Sequence, residues 1–371
     1  MGFAAGLALV LATTRSVVIT LVVPRSVPSR MSVFVGRRVV RSFFVFVADR
    51  FSDWEDKDRI LAYGGPVALL AVFVVWLLLF VAGYGLMLWP VTGKAFGSAL
   101  RESGSSVFTL GIASTVRPGP TVVDLFAGAT GLIVVALEIA YLPTIYAAFA
   151  RRETLVTLLQ SRAGNPPWGP EILARHQVVG LLGSLPGLYR DWEQWAADVA
   201  ESHTTYSVLV SFRSPRPMSS WVLALLAVLD AAALQLAFNP RSAPTEARLC
   251  LRMGFTCLRD IADALGVPFD HDPLPTDPVV LTEVEFSSGV ERLASVGFTL
   301  ERTPEEAWPH FRAWRVNYES IAYTLARYTN AVPGPWSGQR RRGATIEPVR
   351  PVDRTPDDPK SERHAPGRWA G

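Results

Sequence analysis

The hydrophobic pattern sets out long apolar blocks separated by polar, arginine-rich ones. Gly2 to Val23 is apolar except for Arg15, Ile60 to Trp89 contains no charge, and Thr121 to Ala150 carries only Asp124 and Glu138. At about 1.5 Å per residue each block, read as a helix, is long enough to cross a hydrocarbon core of roughly 30 Å. Pro24 and Pro90 follow the first two blocks and are expected to end them. Between the second and third blocks the pattern predicts a short semi-polar helix over Gly97–Phe108, then Thr109 to Ala113, then a Pro118-Gly119-Pro120 turn.

The first apolar block reads as a retained span. A cleaved signal peptide is the alternative, but the segment lacks a basic start and Arg15 interrupts its apolar run. An arginine inside a span is costly, so Arg15 is expected to face another helix or snorkel toward an interface. Residues 24–59 carry Arg25, Arg30, Arg37, Arg38, Arg41, Arg50, Lys57 and Arg59 among Phe34, Val39, Val40, Phe43, Phe44 and Phe46. Basic and aromatic faces on one segment predict a helix lying in the membrane interface, with Arg37, Arg38 and Arg41 toward lipid phosphates rather than nucleic acid. A soluble linker helix is the alternative. The excess of cationic residues on cytoplasmic loops fixes an orientation. It puts this segment and Arg151-Arg152 in the cytoplasm, the loop after Trp89 outside, and the C-terminal region in the cytoplasm. The expectation is a multi-pass protein of the plasma membrane.

The short helix carries Ser98, Ser103, Ser105 and Ser106, polar enough to be shielded from lipid, and its C-terminal end leads into Thr109. The negative end of a helix dipole favours a cation. Ser105-Ser106-Val107-Phe108-Thr109-Leu110-Gly111, followed by a long apolar helix, resembles the pore domain of bacterial potassium channels of the two-span pore-loop class. The specific resemblance covers about residues 60–152. It implies a homotetramer around a passive pathway in which backbone carbonyls replace the ion's water, a selectivity filter at Thr109, Leu110, Gly111, Ile112 and Ala113, and a monovalent cation, K+, as permeant ion without any cofactor. In the family the filter reads Thr-Val/Ile-Gly-Tyr/Phe-Gly and then Asp. Here Ile112 replaces the aromatic residue, Ala113 the second glycine and Ser114 the acid. A Cβ restricts the left-handed backbone that glycine allows, so the outer filter is expected to be reshaped.

Asp124, Gly131 and Glu138 recur every seven residues, which puts them on nearly one face of the third block. Acidic residues within a span usually face a bundle interior or water. The expectation is a pore face with Glu138 as an acidic ring, Gly131 as a bending point and Pro143 as a kink near the inner mouth. The alternatives are a hydrogen-bonded Glu138 in a helix interface and close helix packing at Gly131.

With 49% hydrophobic residues and 19% charged ones, the chain is too apolar for an ordinary soluble protein and too charged for an all-membrane one. The remainder reads as an all-helical domain over 153–330. Gly164 to Pro170 is a linker or rigid turn, and Trp192, Trp195, Ala196 and Val199 form a core stripe. Trp221–Phe238 reads as a core helix, with a further span as the alternative, and Thr245–Leu265 is amphipathic. Thr282 with Glu285 and Thr303 with Glu306 are capping boxes opening helices over Glu283–Val296 and Pro304–Tyr328. Cys250 and Cys257, seven apart on one helix, read as packing residues in a reducing setting. Asp270-His271-Asp272 lies in a Pro-rich loop as a possible metal cluster.

The fold class expected is therefore all-α. It comprises an N-terminal membrane helix (1–23), a basic interfacial segment (24–59), a pore domain (60–152), a cytoplasmic helical domain for an unknown ligand (153–330) and a disordered tail (331–371). No catalytic constellation emerges, so the chain is not read as an enzyme. The alternative to a conducting subunit is a non-conducting, channel-derived membrane sensor or scaffold acting through the helical domain.

Overall fold

The computed structural model describes residues 1–23 and 30–338. Among them every regular element is helical and no strand occurs. Four stretches are long and apolar enough to cross a membrane: Gly2–Leu21, Trp54–Thr92, Pro118–Ala163 and Trp221–Phe238. The chain separates into two units. The first comprises 1–154, 197–217 and 256–269, the second the remainder. The first stretch of the first unit ends at Thr154, and 197–217 and 256–269 belong with it.

In the first unit α1 (Gly2–Leu21) packs antiparallel on α5 (Gly64–Thr92). A Cβ at Gly6 would stand 2.4 Å from the Gly83 carbonyl oxygen, the close backbone approach that small residues permit between membrane helices. The basic segment is helical: α2 (Arg30–Val33) runs through a π-helical stretch, Phe34–Val40, into α3 (Arg41–Ala48), and α4 (Trp54–Ala62) follows. Val35 is buried in the cluster with Leu69 and Val72, while Phe34, Val39, Phe43 and Phe46 are exposed. Arg38 is exposed and Arg41 partly so, whereas the Arg37 side chain lies outside those described.

The second apolar block is shifted from its expected bounds. A turn at Tyr63 separates α4 from α5, and Pro90 sits inside the last turn of α5. The helix ends at Gly93, whose left-handed φ of 66° supplies the cap. Then come α6 (Phe96–Val107) and α7 (Pro118–Ala163). Pro118 opens α7 rather than forming a separate turn, as suits a residue with no N–H to lose. The helix continues through Pro143 and past Arg151-Arg152. Arg152 does not stop it because its guanidinium is fully buried, donating to the carbonyls of Leu209 (2.9 Å) and Phe212 (2.8 Å). Of the expected cytoplasmic pair only Arg151 is exposed, and it is paired with Asp198.

The second unit contains α8 (Gly169–Val178), α10 (Trp221–Phe238), α12 (Glu283–Ser295), α13 (Pro304–Arg315) and α14 (Glu319–Tyr328). Helices α9 (Leu185–Thr205) and α11 (Thr245–Leu265) each run from one unit into the other. Helix α10 is the core: 89% of its apolar window is buried, among α8, α13 and α14. Helices of its own unit surround most of it. Its one charge, Asp230, accepts from Arg315 Nη1 (2.5 Å) and the Tyr318 hydroxyl (2.9 Å). Arg315, also fully buried, donates further to Glu319 (2.8 Å), the Tyr323 hydroxyl (2.8 Å) and the Trp336 carbonyl (2.6 Å). Each nitrogen of the fork is thereby engaged, as a buried charge requires.

Both capping boxes form. The helix expected over Pro304–Tyr328 is broken by a turn at 316–318, which carries Tyr318 to Asp230. The expected tail begins too early. Ala331, Val332, Trp336 and Ser337 are buried, and Trp336 packs against Trp168, Phe286 and Phe311. Residues 339–371 lie outside the described ones. Among the described residues no group of three or more His, Cys, Asp or Glu gathers for a metal. Asp270 instead accepts from the Asp272 backbone (3.0 Å).

Candidate functional site: the loop after the short helix

The site is built on α6, which packs against α5 and reaches α7. Three of its serines each serve a different neighbour. Ser103 Oγ donates to the Val81 carbonyl of α5 (2.8 Å), Ser106 Oγ donates to Asp124 of α7 (2.6 Å), and Ser105 Oγ accepts from the backbone N–H of Ala113 (3.0 Å). Ser98 is exposed. The polarity read as shielding from lipid is thus spent on fixing α6 and on holding the loop from behind.

The loop starts as a helix cap. Thr109 N–H bonds the Ser106 carbonyl (3.0 Å) and Leu110 N–H the Ser105 carbonyl (2.8 Å), the paired bonds of a Schellman ending. Thr109 takes the left-handed position with φ 53°, and Gly111 follows with φ 68°. A β-branched residue there is an outlier costing about 1–2 kcal/mol, and such strain concentrates at functional sites. Ala113, where the family has its second glycine, has no positive φ. Leu110 and Ile112 are 59% and 61% exposed, so the loop presents this surface away from the rest of the chain.

Behind the loop lies a polar clamp. Glu102 of α6 is buried, and its Oε2 accepts from Lys94 Nζ (3.1 Å) and Thr115 Oγ1 (2.8 Å). It ties the exit of α5 and the far end of the loop to α6. Arg101 and Arg117 are exposed, and Lys94, half exposed, is neutralised by its pair with Glu102.

Asp124, Gly131 and Glu138 share a face of α7, but that face is not free. Asp124 is bonded to Ser106. Gly131 is buried against the end of α6, where a Cβ would stand 1.9 Å from the Val107 carbonyl oxygen. Close packing therefore accounts for this glycine. Glu138 lies two turns farther along, half-buried, with Oε1 unbonded among the described residues. Tyr84 supports the same helix from α5 by bonding Thr130 (2.6 Å). Pro143 is exposed.

The sequence reading did not single out Glu102, Lys94, Thr115 or the loop-holding role of Ser105. The signal present was an isolated glutamate within a serine-rich, semi-polar helix, eight residues after a lysine. No protein-family model matches the chain, and no curated protein or solved structure matches it.

Proposed function

We propose that the chain is a pore-forming subunit of a homotetrameric, potassium-channel-like cation channel in the plasma membrane, with its second unit in the cytoplasm. The observation that carries the reading is the arrangement of α5, α6 and α7. A short helix is wedged between two span-length helices and delivers a loop with left-handed residues at Thr109 and Gly111. Ser105 and Glu102 pin that loop from behind, while Leu110 and Ile112 face outward. Such irregular backbone at membrane depth is tolerated only against protein or a water-filled cavity, and one loop per chain calls for several chains around an axis. The sparse burial of α7, 22% of its apolar window, supports the same conclusion. In this reading loop carbonyls take over the ion's hydration and K+ passes without any cofactor. The exposed Phe43, Phe46 and Arg38 support a lipid-facing basic segment.

One observation favours the non-conducting alternative, a membrane sensor or scaffold. The loop's surroundings carry Arg101 and Arg117 beside the neutralised Lys94–Glu102 pair, a field that disfavours cations, and the Schellman bonds occupy carbonyls at the end of α6 whose dipole would attract them. Flux of K+ and Na+ from liposomes holding the purified protein separates the two readings. A conducting subunit gives flux that Ser105→Ala weakens. A sensor gives none, and Ile112→Tyr with Ala113→Gly does not create it.

A further inference from the structure

A cleft of about 440 Å3 opens in the second unit where three stretches meet: the turn leading into α9, the C-terminal end of α10 with the loop after it, and the segment between α12 and α13. That volume falls in the range of small-molecule sites. Leu182, Pro186, Pro244 and Phe298 supply apolar lining. At Gly183 the lining is bare backbone, since a Cβ there would meet nothing within 4 Å. Two carboxamides one turn apart on α10, Gln235 and Asn239, also line the cleft, and each is half used. Gln235 Oε1 accepts from the Tyr189 hydroxyl (2.8 Å), which orients the amide and leaves its Nε2 without an acceptor among the described residues. Asn239 donates from Nδ2 to the Thr299 carbonyl (2.9 Å), while its Oδ1 is buried with no partner among them. Asn239 as a whole is only 9% exposed. A buried acceptor left unmade is costly, and a ligand donor is one way to satisfy it. The charge on the lining is already engaged. Glu301 accepts from Ser242 Oγ through Oε1 (2.6 Å) and from the Arg241 N–H through Oε2 (2.9 Å).

We propose that this cleft binds a small, neutral, amphipathic ligand bearing a carboxamide. The ligand's amide carbonyl accepts from Gln235 Nε2 and its N–H donates to Asn239 Oδ1, the one donor and the one acceptor that the two α10 side chains leave over. Residues four apart on a helix stand on one face, close enough for both to reach one amide. The apolar body of the ligand lies among Leu182, Pro186, Pro244 and Phe298. The negative Glu301 disfavours an anion, and with both oxygens engaged it offers a cation no bare partner. The inference rests on the second unit alone and is independent of conduction.

The test uses full-length Gly183→Cys protein in mild detergent at neutral pH, with the buried native cysteines retained. Maleimide labelling of the new thiol reports occupancy of the cleft. Three matched probes are added at millimolar concentration: N-acetyl-leucinamide, which is neutral, N-acetyl-leucine, an anion, and leucinamide, a cation. The expected result is saturable protection by N-acetyl-leucinamide, at least threefold in labelling rate, with little from the other two. Adding Gln235→Glu keeps an acceptor for the Tyr189 hydroxyl and removes the amide donor. It should raise the concentration for half-protection at least tenfold while Cys250 stays unreactive, which shows that the unit is still folded. No protection by any probe overturns the proposal. Equal protection by all three overturns the ligand class, and unchanged protection in Gln235→Glu overturns the role of the α10 carboxamides. None of these results bears on K+ flux, so the pore reading stands or falls separately.

Discussion

Replacing Gly131 by alanine should disturb the loop from behind. A Cβ at 131 would stand 1.9 Å from the Val107 carbonyl oxygen, 2.8 Å from its carbon and 3.2 Å from its Cα. Carbon and oxygen in ordinary contact sit about 3.3–3.6 Å apart, so about 1.5 Å of room must be found. The obstacle is backbone, and no side chain can swing aside. Val107 ends α6 two residues before Thr109, so any shift that relieves the clash carries the loop with it. Overpacking costs about 1–3 kcal/mol, and a backbone obstacle puts this case at the upper end. The better helix propensity of alanine returns up to about 1 kcal/mol. The net expectation is about 2 kcal/mol of destabilisation. Gly128→Ala is the internal control, because its Cβ would meet the Ser106 carbonyl oxygen at 3.4 Å. That is ordinary contact, so its effect should be neutral or stabilising by up to about 1 kcal/mol. Reversible unfolding in mixed micelles measures both, and maleimide labelling of Ile112→Cys reports the loop. If Gly131→Ala is as well tolerated as Gly128→Ala and leaves labelling unchanged, the packing argument is wrong and the bending-point reading of Gly131 returns.

Three further outcomes are expected. Arg315→Met strands Asp230 and Glu319 in the core of the second unit and should cost about 3–5 kcal/mol, read by chemical denaturation of the full chain; a cost under about 1 kcal/mol would contradict the network. Thr109→Gly removes the strain of a left-handed threonine and should stabilise the fold by about 1 kcal/mol in the same micelle assay, while a loss of stability would mean that the threonine side chain makes a contact worth more than the strain. His203 is buried, and burial with the neighbouring Arg152 guanidinium holds its pKa well below the usual value. A guanidinium only donates, so the imidazole accepts and must be neutral. The unfolded chain then binds the extra proton, so the stabilisation is full above about pH 6.5 and falls as the pH drops below it, by up to about 1.4 kcal/mol per unit. His176, also buried with a lowered pKa, acts in the same direction. Midpoints measured between pH 5 and 8 should flatten in a His176→Gln, His203→Gln double variant, and an unchanged slope would contradict the assignment.

The parts of the fold legible in the sequence are those set by local chemistry. Span length, the two capping boxes and the bounds of Trp221–Phe238 and Thr245–Leu265 follow from residues within a turn or two of each other. Tertiary partners set the rest. Arg152 reads as half of a cytoplasmic basic pair and is instead a buried clamp on the Leu209 and Phe212 carbonyls. Trp336 sits in a Pro- and Gly-rich stretch that reads as a tail, yet its ring closes the core beside Phe286 and its carbonyl serves Arg315. At the site, the short helix and loop were readable to within about one residue. Which serine faces which neighbour was not, because Ser103, Ser105 and Ser106 differ only in direction around α6. The seven-residue spacing of Asp124, Gly131 and Glu138 puts them near one face by helix geometry, and Asp124 and Gly131 both meet α6. Periodicity cannot tell whether that face meets water, the subunit's own short helix or another copy.

The central claim is that the Thr109–Ala113 loop lines an ion pathway in an assembly of identical chains. The direct measurement is K+ and Na+ flux from liposomes containing purified protein of determined oligomeric state. The account predicts a tetramer with cation flux, weakened by Ser105→Ala and shifted toward K+ when Ile112→Tyr and Ala113→Gly rebuild the family pattern. A folded tetramer that passes neither ion, as wild type or as the rebuilt variant, would contradict it.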